Sequence, residues 1–95
     1  MGKYRLTESA KEDLIAIAQY GDSNFGIVQS DRYRDQLKQR FSLLAEQPML
    51  YPSVEHIHRG YRRSVCGVHS IYYRLEGDIV HIVRVLGRQS LAKAF

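Results

Sequence analysis

The sequence predicts an α+β domain: an N-terminal strand, an αα-hairpin, then a three-stranded antiparallel meander, with the helices packed on one sheet face. Three observations carry this reading. Apolar residues recur at helical spacing from Ala10 to Ala45, interrupted at Gly26. Beyond Pro52 the pattern changes to runs of β-branched and aromatic residues. Reversal signals at Cys66-Gly67 and Gly77-Asp78 divide those runs into three. Residues 1–95 form a single domain, because a chain of this length supports one small core. A site must then lie on the surface or in a shallow groove.

Lys3 to Thr7 alternates, with Tyr4 and Leu6 on one side, and reads as a short first strand. Thr7 suits an N-cap and Glu8 the first helical turn, while Ser9 with Glu12 offers a competing capping box. Ala10, Leu14, Ile17 and Ala18 then share a helix face that extends to about Asn24. Gly26 can take the left-handed conformation that ends a helix. Tyr33, Leu37, Phe41, Leu44 and Ala45 make the stripe of a second helix, which Pro48 stops. Both stripes read as core rather than as a ligand site.

The strands follow as Arg62 to Val65, His69 to Leu75 and Ile79 to Leu86. Gly77-Asp78 has glycine first, as a type II′ hairpin requires. Ile71, Tyr73 and Leu75 share one face of their strand, and Tyr72 and Arg74 the other. The nearly continuous apolar run from Ile79 to Val83 indicates a strand well inside the sheet.

The composition excludes several classes. No run of about 18 apolar residues exists to span a membrane. Residues 1–14 have neither an apolar core nor a small-residue cleavage pattern, and Leu6 stands where myristoylation needs Ser or Thr. The single cysteine, Cys66, allows no internal disulfide and fits the cytoplasm. Cys66 and the four histidines show no zinc-ligand spacing; His56 and His58 alone do not make a site. No metal or cofactor is expected.

Charge is unevenly placed. Residues 1–48 carry seven basic and seven acidic groups, whereas residues 49–95 carry seven basic and three acidic. The net charge of +4 and all four histidines therefore belong to the second half. Six of its seven basic groups are Arg, whose planar fork suits phosphate and carboxylate. Such a half-domain attracts nucleic acid or an acidic protein segment, although a solvated basic surface would have the same composition.

Residues spread through this order resemble the RelE/ParE family of toxin–antitoxin toxins. Tyr4-Arg5-Leu6-Thr7 with Asp13-Leu14 is similar to the family's first strand and helix, and Phe25-Gly26 to its hairpin. Gly60-Tyr61-Arg62-Arg63, His69 and Ile71-Tyr72-Tyr73 match its middle strands; Ile82 to Leu86 followed by Arg88-Gln89 resembles the end of its ParE branch. Gly87 departs from the pattern, standing where many ParE members have His.

The resemblance implies one of two activities on one fold. ParE-type members poison DNA gyrase; RelE-type members cut messenger RNA on the ribosome. Metal-free RNA cleavage needs two proton-transfer groups beside cations that hold the phosphate. The tail offers Leu91, Ala92, Ala94 and Phe95, which transfer no proton. His69 and His81 lie on strands and remain the imidazoles that could face the arginines. A gyrase inhibitor that blocks replication, without catalytic residues, is therefore the expectation, and a ribosome-dependent endoribonuclease the alternative. Arg62, Arg63, Arg84 and Arg88 are the candidate target contacts, although Arg84 could instead pair with Asp13.

The resemblance also implies a ParD-like antitoxin partner that folds on binding. Ile15, Tyr20 and Ile27 are candidate contacts for it on the helical hairpin, and direct nucleic-acid binding is secondary. Tyr61, Tyr72 and Tyr73 are expected to pack against the helices or the antitoxin.

Overall fold

A computed structural model describes residues 2–87 of the chain. It begins with β1 (Lys3–Leu6), which ends at Thr7, the cap of α1 (Glu8–Phe25). The Thr7 hydroxyl accepts from Ala10 N at 3.1 Å and donates to Val83 O at 2.9 Å, while Thr7 N donates to Ile82 O. One side chain thus caps a helix, a contribution of about 1 kcal/mol, and ties it to the last strand. The competing start at Ser9 is not used.

Gly26 separates α1 from α2 (Ile27–Glu46). Its φ of 85° is positive as expected, but its ψ of 157° is extended rather than left-handed helical. Only glycine occupies that region readily, so this residue turns the chain between the two helices by itself. Close packing follows directly. A Cβ on Gly21 would lie 2.5 Å from the Ser30 hydroxyl oxygen, so two small residues let the helices approach.

After α2 the chain forms β2 (Tyr61–Cys66), β3 (His69–Glu76) and β4 (Ile79–Leu86), joined by two-residue hairpins. The sheet order is β1-β4-β3-β2, with β1 parallel to β4 and the other pairs antiparallel. The apolar run of β4 is explained by its position between β1 and β3. Gly67 and Gly77 have φ of 60° and 63°, and among the described residues no other residue type has positive φ, as type II′ hairpins require. Gly67 is further constrained by Tyr33, whose ring carbon Cε1 would lie 2.5 Å from an added Cβ.

The main core lies between the helices and one sheet face. Leu37, Phe41 and Leu44 of α2 meet Ile71, Tyr73, Val80 and Ile82, all fully or almost fully buried. The α1 helix gives less, with Leu14 and Ile17 only partly buried. A second, smaller cluster occupies the opposite sheet face, here called the outer face. There Val54 and Ile57, from the segment after α2, cover Tyr72, Leu86 and Tyr61. Tyr73 packs beneath the helices as expected; Tyr72 does not, because strand alternation turns it to the outer face. The segment also pairs with β2, through Val54 N donating to Tyr61 O and Arg63 N to Pro52 O. No helix among the described residues is long and apolar enough to cross a membrane.

Candidate functional site: an apolar-rimmed groove and the arginines around it

A groove of about 830 Å³ opens between the helical hairpin and the ends of β3 and β4. It leaves Tyr20 of α1 64% exposed. Tyr20, Phe25 and Val68 form an apolar rim, all more than half exposed, and Tyr20 meets Phe25 edge-on. Ile15 and Ile27 are equally exposed on the hairpin but do not line the groove. Of the three hairpin residues singled out by the sequence, only Tyr20 therefore borders it. Phe25 and Val68 were missed. Each is adjacent to a turn glycine, and a reading by helix or strand face passes over turn neighbours.

Polar groups interrupt a wall that is otherwise mostly apolar. Asp13 of α1 receives both Nε and Nη2 of Arg84, at 2.8 and 2.9 Å, and also Val85 N at 3.0 Å. This carboxylate takes the place of a neighbouring strand where β4 runs past the end of β1. The bidentate hydrogen bond raises the already high Arg84 pKa against the opposing effect of burial. Nearby, the Tyr33 hydroxyl lies 2.6 Å from His69 Nδ1 and accepts from Val68 N at 3.1 Å. Burial pushes the His69 imidazole below its ordinary value, with Asp13 pulling the other way. Burial likewise raises the Tyr33 phenol. The Tyr33 hydroxyl also lies 3.2 Å from Cys66 O as a donor, so Tyr33 and His69 are partnered within the fold.

The structure does not gather the candidate arginines into one cluster. Arg62 and Arg63 are consecutive on β2 and point to opposite faces. Arg62 is on the helix side and donates to Tyr51 O at 2.6 Å. Arg63 is on the outer face, in register with Tyr72 of β3 and through it with Arg84 of β4. Arg84 is held by Asp13, the internal pairing that the sequence also allowed. Arg88 and the tail residues Leu91, Ala92, Ala94 and Phe95 lie outside the described residues. His69 faces Tyr33 in the groove, whereas His81 is on the outer face. Among the described residues no group of three or more His, Cys, Asp or Glu could hold a metal ion.

Comparison with known proteins places this geometry in a family. The family model described as "ParE toxin of type II toxin-antitoxin system, parDE" matches residues 4–91. Toxin ParE1 of Caulobacter vibrioides is 36% identical over 94 residues, 99% of this chain and 97% of the relative. Toxin ParE1 of Mycobacterium tuberculosis is 28% identical over 85 residues, 88% and 87% of the two chains. A solved structure described as the chromosomal ParDE TA system from P. aeruginosa shares the fold, with a TM-score of 0.80 at 18% identity. That match covers 92% of this chain and 96% of the other. With its full-length match and its α+β architecture, the chain belongs to the family of ParE toxins of type II toxin–antitoxin systems.

Proposed function

We propose that this toxin acts in the cytoplasm by inhibiting DNA gyrase, and that a ParD-like antitoxin neutralises it. Family membership supports the first part. The observation that carries the choice over RNA cleavage is the internal use of the arginines. Arg84 is bound bidentately by Asp13 and Arg62 is committed to the Tyr51 carbonyl. Two of the cations that would hold a scissile phosphate are thus engaged within the fold, and His69 is paired with Tyr33. Arg63 and Arg88 remain the proposed target contacts from the original four.

The groove supports the second part. An amphipathic helix needs an apolar rim to bury its face, and Tyr20, Phe25 and Val68 offer one. Ile15 and Ile27 are exposed elsewhere on the hairpin and are proposed as secondary contacts.

A supercoiling assay with purified gyrase, run beside cell-free translation, tests the target. The expected result is loss of supercoiling with translation intact. Cleaved messenger RNA together with unaffected supercoiling would replace this reading with the ribosome-dependent nuclease.

A further inference from the structure

The charge imbalance of the sequence becomes an imbalance between layers. The two helices carry five basic and seven acidic side chains. The four strands with their connections from residue 47 to Gly87 carry seven basic and three acidic. Among the described residues the helical layer is thus net acidic and the sheet layer net basic.

Register concentrates that charge on the outer face. Arg5 of β1 pairs with His81 of β4, His81 with Arg74 of β3, and Arg74 with Tyr61 of β2. Residues in register share a face, so these four side chains form one row across the whole sheet. The neighbours of Arg5, Tyr4 and Leu6, pack into the main core, which fixes the row on the opposite side. At about 4.8 Å per strand the row is roughly 14 Å long. Lys3 and Arg63 flank it on the same face, and His58 stacks on Tyr61 with ring centroids 4.2 Å apart. Glu76 is the competing charge: it pairs with Arg74, which together with His81 holds its carboxyl below the usual range. That pair is exposed, so an incoming polyanion can displace Glu76 at little cost.

We propose that this outer sheet face binds the phosphodiester backbone of a nucleic acid, with Arg5, Arg63 and Arg74 as the phosphate contacts. Charge complementarity selects a polyanion, and two guanidinium groups flanking an imidazole in a row that ends in stacked aromatic rings suit nucleic acid better than an acidic peptide. A duplex DNA segment of this length carries about eight phosphate charges over its two strands, of which one side meets the row. The surface lies across the sheet from the helical hairpin and requires neither gyrase nor ribosome for its test.

The test is fluorescence anisotropy of the free toxin with a labelled DNA duplex, the matching single strand, and the same sequence as RNA. Binding should weaken about 40-fold between 50 and 200 mM salt if three phosphates are neutralised. Arg5→Glu and Arg63→Glu should each reduce affinity at least about tenfold with unchanged circular dichroism, whereas Lys38→Glu on α2, with the same charge change, should not. The three nucleic-acid arms then identify which backbone is preferred. Lack of binding at low salt, or equal losses in all three variants, would overturn the proposal. Displacement of the DNA by polyglutamate of equal charge would overturn it in favour of an acidic protein segment.

Discussion

Asp13 shows how much one carboxylate can organise. Its side chain is 13% exposed and that of Arg84 is 26%, so the pair is shielded without being fully desolvated. Three donors converge on Asp13, and one of them is the backbone N–H of Val85 at an otherwise open strand edge. Asp13→Ala should therefore cost about 2–4 kcal/mol, since it strands a guanidinium and an amide together. For a domain of this size that lowers Tm by roughly 8–30 °C. Asp13→Asn keeps the shape and one acceptor and should cost visibly less; equal losses in calorimetry would mean that the charge alone, and not the shape or the neutral acceptor, carries the contribution. His69 makes a second residue-scale test. Its folded pKa is depressed by burial, so below about pH 6.5 the unfolded chain takes up a proton that the folded one resists. Stability should fall as pH drops from about 7.5 to about 5.5, and His69→Gln should remove part of that fall. Parallel Tm–pH profiles for the two proteins would contradict the assignment.

At the scale of elements, the free edge of β2 is the point most exposed to misassembly. The segment after α2 covers its first half, and Arg40 of α2 closes the second. One Arg40 nitrogen donates to Val65 O and to the Ser64 hydroxyl, both at 2.7 Å, while the guanidinium lies 5.4 Å from the Tyr51 ring centre. Ser64 is fully buried, so Arg40→Ala leaves both a buried hydroxyl and an edge carbonyl without this partner. A loss of about 2 kcal/mol is expected, with concentration-dependent association in sedimentation velocity. A monomer of unchanged Tm would show that the edge needs no cover. This cover is also what the sequence did not disclose. Helical and strand periodicities marked all six elements, and the turn glycines marked both hairpins. The segment after Pro48 has no period, because its role depends on long-range contacts such as Val54 with Tyr72 and Leu86. The same limit applies to the site: strand alternation puts Arg62 and Arg63 on opposite faces, yet nothing local tells which face the helices take.

For the whole molecule, a thin core and an uncovered groove belong together. The α1 helix buries only Ala10 and Gly21 completely, and apolar Tyr20, Phe25, Ile27 and Val28 stay in solvent. In a free domain of this length such exposure forgoes hydrophobic stabilisation that a longer chain would obtain internally. A partner that covers the groove binds the folded state alone, and so adds stability by mass action. At a free antitoxin concentration about 100-fold above Kd the gain is about 2.7 kcal/mol, which raises Tm by roughly 10–20 °C. Tyr20→Arg separates this gain from intrinsic stability. Since Tyr20 is 64% exposed, the variant should melt close to the parent when free, but show a much smaller rise with antitoxin. Scanning calorimetry of both proteins, with and without antitoxin, reads all four values. An undiminished rise for Tyr20→Arg would move the antitoxin off the groove, and no rise for the parent would remove the coupling altogether.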